Sequence, residues 1–302
     1  MSEGPGLKIL GEVSLPERKI PKTMSLESRK RAAEVLPAAL VATVERLNGT
    51  IREKLPSLGE RQVLLSDGRI DMEAFRKENG GPHADKTVES NHRQVDGKRT
   101  EYGKESESLR PGEIGEMALF CVVNRILGAR FLATRTAEYD DYEQLVDFMI
   151  VDLARDGKPI CAVDEFIGDE EEADSQTRNR IAKKKERLRR EGGMSLRYGI
   201  ESKDGALSLG EYRGLSGVYA AATPKTLERL FTENVDLASG SGNPSDAEWA
   251  FFAEVIGSVE RYANDDAHLP EDGPVHELIR VARECIEART PLEKGRAEWN
   301  FG

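Results

Sequence analysis

The sequence has few cysteines and lacks any long apolar run. Its three cysteines, Cys121, Cys161 and Cys285, are widely spaced, which indicates reduced, buried thiols rather than a disulfide framework or a zinc-binding pattern. No apolar segment approaches the length needed to span a bilayer, and the start, MSEGPGLKIL, lacks the charged-then-apolar pattern of a signal peptide. These absences predict a cytoplasmic protein with no membrane partner.

Aromatic residues are also scarce, and the chain has no net positive charge. Aromatic side chains make up 6% of the 302 residues, which argues against a stacking platform for bases. The net charge of −11 argues against a general nucleic-acid coat protein, although not against a local basic patch. Hydrophobic residues make up 38% and charged residues 33%, which suggests polar extensions around a smaller folded core.

The chain divides into three segments by composition. Residues 1–110 are interpreted as a helical and partly disordered N-terminal extension, 111–235 as a core, and 236–302 as a C-terminal helical segment. Within the extension a helix is expected at 25–55. By contrast, 66–113 has few apolar residues and many turn formers, and is interpreted as a loop or partly disordered linker.

The apolar density rises sharply after residue 110, and the core is predicted to be a mixed α/β fold. A buried helix precedes three closely spaced strands, the last two joined by an Asp-Gly turn, which indicates an antiparallel meander. A long charged helix then serves as a crossover towards a later strand. In chain order we expect a helix at 111–128, strands at 129–137, 145–153 and 159–167, a helix at 175–192, strands at 194–202 and 215–223, and helices at 224–231, 247–263 and 274–288.

Carboxylates lie within or beside two of the expected strands, where an unpaired charge is costly to bury. Asp147 has apolar residues on both sides, and Asp164 and Glu165 come at the end of the next strand. Two carboxylates on neighbouring strands that face the same side can share a divalent cation, and hard oxygen ligands suit Mg²⁺ or Mn²⁺. The alternative is that these acids lie at strand ends and point to solvent.

A third carboxylate is expected from the buried helix. Glu116 lines up with Phe120, Val123 and Leu127 on one helical face. A carboxylate at the head of an apolar stripe either lies at a solvated helix end, where the helix dipole stabilises it, or points into a site. Glu113 lies nearer the helix end and better suits the first role, so Glu116 is the catalytic candidate.

The expected helix at 175–192 is strongly basic and follows an acidic run. On a helical wheel Lys185 projects from the apolar face and Lys184 flanks it, so either lysine can orient an attacking water or hold a phosphate. Lys183 faces away from that side and, with Arg178 and Arg187, offers positive charge to a nucleic-acid backbone. A solvated helix whose basic side chains pair with acidic neighbours is the competing interpretation.

The order of these elements and acids resembles the core of the PD-(D/E)XK, or restriction-endonuclease-like, nuclease superfamily, over residues 111–231. The resemblance implies an αβββαβ core with a mixed central sheet flanked by helices. It also implies Mg²⁺- or Mn²⁺-dependent phosphodiester hydrolysis of DNA or RNA. By analogy Glu116 matches the acid of the first helix, Asp147 the aspartate of the second strand, and Asp164 or Glu165 the acid of the third.

The sequence departs from the family pattern at its lysine, which lies two positions after the acid of the third strand. That position is Phe166, or Ile167 if Glu165 is the ligand. Some members supply a migrated lysine from the following helix, which here implies Lys185 or Lys184.

Two other interpretations stay open. A nuclease-like module without activity would bind nucleic acid or protein through its basic helix, and Phe166 favours this interpretation. The sequence YDD, Tyr139–Asp141, is also typical of a polymerase-type acidic turn, but no hairpin or partner aspartate with suitable spacing precedes it. Asp140 and Asp141 are therefore expected to border the second strand, within reach of the rim of the site.

Overall fold

The computed structural model describes most of the chain between Val63 and Leu292. The described residues are 63–65, 67–79, 82–101, 111–155, 157–167, 193–203, 206–233, 243–265 and 269–292, with isolated residues at 42, 44 and 45 and between 179 and 190. Most residues of the two helices expected at 25–55 and 175–192 are outside the described part of the chain. Every residue that is described within those two ranges is helical.

The described residues contain six helices, five strands and one π-helical turn. The helices are α1 (Met72–Asn79), α2 (Pro82–Glu101), α3 (Pro111–Leu127), α4 (Pro224–Glu233), α5 (Asp246–Asp265) and α6 (Pro274–Ala288). The strands are β1 (Phe131–Arg135), β2 (Phe148–Asp152), β3 (Lys158–Ile167), β4 (Met194–Lys203) and β5 (Ala206–Ala222), with the π-helical turn Asp140–Gln144 between β1 and β2.

The five strands form one mixed sheet in the order β1-β2-β3-β5-β4. The predicted antiparallel meander is confirmed, because β2 pairs antiparallel with both β1 and β3. Next to it, β5 runs parallel to β3, and β4 pairs antiparallel with β5. β5 begins at Ala206, earlier than the strand expected at 215–223, because its first half pairs with β4 as a hairpin. The mixed α/β fold class is therefore correct.

The interpretation of 66–113 as a loop or partly disordered linker is wrong, since α1 and α2 occupy much of this segment. In α2 the positions Ala84, Val88, Asn91 and Val95 are all buried and recur at helical spacing. The stripe is narrow, one of its members is polar, and the rest of the helix is charged. The low average hydropathy of this segment therefore gave no indication of a helix, although one face of the helix is buried against the rest of the fold.

A tight turn ahead of α1 joins the edge of the sheet. Leu64 pairs with Ile70 across the turn, and Arg69 forms a parallel bridge with Arg135 of β1. The N–H of Ile70 donates to the carbonyl of Arg135 (3.1 Å), and the N–H of Arg135 donates to the carbonyl of Gly68 (3.2 Å). Gly68 has a φ of +83°, a conformation that glycine adopts without strain. The turn therefore brings a segment far from the core in sequence to the end of β1.

Helices α3, α5 and α6 cover one face of the sheet and enclose its main apolar core. α3 packs on β1 and β3, α5 on β5, and α6 on β3. Ala133, Phe148, Val163 and Val218 of four different strands face the apolar space between these helices. Because side chains alternate between the two faces of a strand, these four residues identify which neighbouring residues point towards α3.

Two features of the sequence have direct structural counterparts. Cys121, Cys161 and Cys285 are all buried, which confirms the burial expected of these thiols. No described helix is both long enough and apolar enough to cross a membrane.

Asn124 of α3 satisfies the main chain of the edge strand β1, which generates a prediction. Its Oδ1 accepts a hydrogen bond from the N–H of Ala133 (3.0 Å), and its Nδ2 donates to the carbonyl of Ala133 (2.8 Å). Asn124→Ala leaves both buried groups without these bonds, so the free energy of unfolding should fall by about 1–3 kcal/mol. Urea denaturation followed by circular dichroism measures the change. Lys225→Ala, at an exposed position of α4, is the control, and an equal effect of the two variants would contradict the role of Asn124.

Candidate functional site

Asp147 lies directly before β2, not in the middle of the strand as expected, because β2 begins at Phe148. Its main-chain hydrogen bonds nevertheless continue the pairing of β2 with β3 and with β1. The N–H of Asp147 donates to the carbonyl of Val163 (3.0 Å), and its own carbonyl accepts from the N–H of Thr136 (3.0 Å). Its carboxylate Oδ2 accepts from the N–H of Glu165 (2.5 Å). The Asp147 carboxylate is thus fixed at the start of β2, against β3.

The two acids of β3 lie on opposite faces of the sheet. Phe148 pairs with Val163, and one further step along this register places Asp147 beside Asp164, which is 4% exposed. Since Val163 faces the helices, alternation places Glu165 on the α3 side and Asp164 on the other. Both acids border Asp147, and they approach it from different sides.

Gly115 allows the first turn of α3 to approach the end of β3. A Cβ at this position would lie 2.4 Å from Cγ1 of Ile167 and 2.6 Å from Oε1 of Glu165. Any larger residue would therefore push the helix away from the strand. The glycine thus places Glu116, the next residue, near the acids of β2 and β3.

Glu116 is buried and forms ion pairs with two arginines. Its Oε2 accepts hydrogen bonds from Nη2 of Arg69 (3.0 Å) and from both Nε (3.2 Å) and Nη2 of Arg135. The side chains of Arg69 and Arg135 are 9% and 3% exposed. Charge-assisted bonds of this kind are stronger than neutral ones and hold the Glu116 carboxylate in one position.

The two arginines extend the network to two further carboxylates. Nη1 of Arg69 donates to Oδ2 of Asp141 (2.9 Å), and Nη1 of Arg135 donates to the carbonyl (3.0 Å) and Oδ2 (3.3 Å) of Asp67. Burial lowers the pKa of Arg69, but the charges of Glu116, Asp141 and Asp67 outweigh it and raise that pKa above its usual value. Arg69 is therefore always protonated.

The carboxylates around Asp147 act on its ionisation. Burial raises the pKa of Asp147 well above its ordinary value, and the negative charges of Glu116, Asp164, Asp141 and Glu165 raise it further. A carboxyl group in this position favours either a proton or a nearby cation. The site thus concentrates negative charge at one end of the sheet.

Asp140 has a different role from its neighbour Asp141. It is fully buried, and its two oxygens accept hydrogen bonds from the N–H groups of Arg197 (2.7 Å) and Tyr198 (2.9 Å) in β4. The ring of Tyr198 is held in turn by Nδ2 of Asn91 in α2, which donates to its hydroxyl (2.7 Å). Asp140 therefore fastens the π-helical turn to β4, whereas Asp141 reaches the rim of the site through Arg69.

The other candidates lie at the margin or outside the described residues. Glu113 is partly buried in the first turn of α3. Lys183 is exposed and Arg187 partly exposed. Lys184, Lys185 and Arg178 fall outside the described residues, so their roles stay predictions.

Sequence reasoning missed the two arginines of the site. Arg135 stands in the apolar strand FLATR, and a charge in such a strand is a sign of a buried partner. Arg69 follows the Asp67–Gly68 turn, within the segment interpreted as a linker. The sequence there shows only a turn pattern. No residue close to Arg69 in sequence indicates that it pairs with Glu116, 47 residues later.

The donor set of the site fits a hard divalent cation. Within the described residues, no group of three or more His, Cys, Asp or Glu side chains is arranged to hold a metal ion by itself. Mg²⁺, however, is commonly held by one or two carboxylates and several retained waters. Asp147 with Asp164 or Glu165 offers such a pair of carboxylates.

Comparisons with known proteins add no relative. No family model, curated protein or solved structure matches this chain. The function must therefore be inferred from the chemistry of the residues and from their geometry.

The close approach at Gly115 generates a matched pair of predictions. Gly115→Ala should lower the free energy of unfolding by about 1–3 kcal/mol, because the added methyl group overlaps Ile167 and Glu165. Gly97→Ala, on the exposed side of α2 with no atom near its Cβ position, should raise it by about 0.5–1 kcal/mol. Urea denaturation of both variants tests this, and equal signs would contradict the packing of α3 on β3.

Asp140 generates a prediction about pH. Burial raises the pKa of Asp140 to about 7, although the N–H groups of Arg197 and Tyr198 favour its ionised form. Because the ordinary value is about 4, the folded chain retains a proton that the unfolded chain releases. The stabilisation is complete below about pH 4 and is lost as the pH rises through about 7.

The measurement is urea denaturation at several pH values for the wild type and Asp140→Asn. The variant should lose this part of the pH dependence. It should also be less stable by about 1–3 kcal/mol, because its amide offers only one acceptor to two N–H groups. Glu284→Gln, at an exposed position of α6, is the control. A pH profile of Asp140→Asn that parallels the wild type would refute the assignment.

Proposed function

We propose that this protein hydrolyses phosphodiester bonds of nucleic acid with the help of Mg²⁺ or Mn²⁺, at a site of the PD-(D/E)XK kind. The observation that carries the proposal is the convergence of carboxylates on Asp147. Glu116 from the helix before the sheet and Asp164 from the adjoining strand both act on its ionisation. Three acids from three elements, brought to one sheet end, match the pattern that the resemblance implies.

The order of elements supports the same proposal. A helix that bears Glu116 precedes three antiparallel strands, and β5 then lies parallel to β3. The helical residues described between 179 and 190 lie between β3 and β4, where a crossover is needed before β5. Element order is a weaker basis for function than site chemistry, so it takes second place.

Each part of the site would have a distinct task. Asp147 and Asp164, with Glu165 nearby, would hold the divalent ion. The ion would neutralise charge on the phosphoryl group and lower the pKa of a water. Glu116 would hold the guanidinium groups of Arg69 and Arg135 in place. Lys185 or Lys184 would orient the attacking water in place of the lysine that the family carries in its third strand.

The basic helix would bind the substrate backbone. Lys183 is exposed and Arg187 partly so, and with Arg178 they would supply positive charge in a chain of net charge −11. Such phosphate contacts are independent of base sequence and weaken with salt.

The second candidate is a nuclease-like module without activity that binds nucleic acid or protein. One observation favours it. Phe166, in β3, occupies the position of the family's lysine, and a phenylalanine can neither orient a water nor stabilise an anion. The two candidates differ in one measurable property, which is cleavage.

A cleavage assay with Mg²⁺ or Mn²⁺ on single- and double-stranded DNA and RNA tests the proposal. Wild type should cleave at least one substrate and stop when the metal is chelated. Asp147→Asn and Asp164→Asn should each lower the rate by at least about 100-fold, because they remove charge that holds the ion. Glu284→Gln should cleave like the wild type.

Cleavage by wild type that persists in Asp147→Asn would point to a contaminating nuclease and refute the site. Absence of cleavage on all four substrates, with retained salt-dependent binding, would favour the inactive module.

A further inference from the structure

The most unusual feature of the site is the placement of two buried arginines beside an acid expected to be catalytic. Three N–H groups from Arg69 and Arg135 converge on one oxygen of Glu116. Both side chains are almost entirely buried. Both groups are guanidinium cations, so Glu116 lies between two positive charges.

The positions of these arginines are fixed by the main chain. Arg69 and Arg135 form neighbouring bridge partners at the end of β1. Arg69 is also held by Asp141 (2.9 Å), and Arg135 by Asp67 (3.3 Å). Moving both guanidinium groups away from Glu116 would leave a buried carboxylate without compensation, which is strongly unfavourable. The arginines are therefore permanent parts of the site.

A second divalent cation finds the arginine-facing oxygen of Glu116 already occupied. Three N–H groups of Arg69 and Arg135 donate to Oε2, so an ion at this oxygen would have to displace them. Asp147 and Asp164 lie elsewhere in the pocket. One step beyond the Phe148–Val163 pair they are side by side, and two adjacent carboxylates can hold one divalent ion.

We propose that the guanidinium groups of Arg69 and Arg135 take the place of a second metal ion beside Glu116, so that the pocket binds a single divalent cation at Asp147 and Asp164. This inference rests on the proposed function. It makes Glu116 a positioning residue, which holds the two arginines and does not touch the ion. The positive charge that other sites obtain from a second ion is here part of the protein.

The test is a titration of the full-length protein with Mn²⁺, followed by electron paramagnetic resonance and by calorimetry. We expect one bound ion per chain. Two bound ions that both depend on Asp147 would overturn this inference and leave the proposed function standing. If no ion binds, the metal-dependent function fails, and the inference fails with it.

Variants then locate the ion. Asp147→Asn should weaken Mn²⁺ binding more than about tenfold, because it removes one of only two carboxylate ligands. The double variant Arg69→Met/Glu116→Gln removes one positive and one negative charge, so the net charge of the pocket is unchanged. It should alter the dissociation constant less than about threefold, because the two charges that are removed cancel and Arg135 keeps its ion pair with Asp67.

A loss of affinity in the double variant equal to that of Asp147→Asn would overturn the inference, because Glu116 would then be a ligand. Circular dichroism and the urea midpoint establish that each variant is folded, and Glu284→Gln should bind Mn²⁺ like the wild type. Should the double variant not fold, the stoichiometry of the wild type still decides between one ion and two.

Discussion

The ion pairs between Glu116 and the arginines Arg69 and Arg135 are the constraint on which the site depends. They join the turn before α1 to the helix α3 and the strand β1, which follow it by more than 40 residues in sequence. A buried carboxylate and buried guanidinium groups are each unfavourable alone, and they are tolerated only together and with complete hydrogen bonding. This network therefore ties the N-terminal segment to the sheet at the position where the acids of β2 and β3 meet.

The surrounding structure places the remaining acids around this network. Gly115 lets α3 approach β3 closely, and the N–H of Glu165 holds the carboxylate of Asp147 at the strand end. Asp140 fastens the π-helical turn to β4, so that the next residue, Asp141, meets Arg69. Local packing and main-chain hydrogen bonds thus position charges that would otherwise repel one another. The result is a cluster in which the two arginines lie among the carboxylates of Glu116, Asp141 and Asp67, next to the acids of β2 and β3.

Much of the core could be predicted from the sequence from α3 onwards. Its helices and strands have continuous apolar runs or clear amphipathic faces, and α6 has the bounds that the pattern predicted. The prediction failed for α2, where four buried positions are spread over a charged helix and one of them is Asn91. Asn91 donates a hydrogen bond to Tyr198 in β4, and such a partner leaves no periodic signal in its own segment. The early start of β5 was missed for a similar reason, since hairpin pairing with β4 extends it.

The sequence by itself determined which elements carry acids, because Glu116, Asp147, Asp164 and Glu165 each lie within or next to a recognisable apolar helix or strand. It also determined that the three thiols are buried. Only the tertiary structure decided that Arg69 and Arg135 enclose Glu116, and that Asp140 and Asp141 have separate roles. The physical reason is that hydrophobic periodicity reports on a residue's own segment. An ion pair depends on the partner, which here lies 19 residues away for Arg135 and 47 for Arg69.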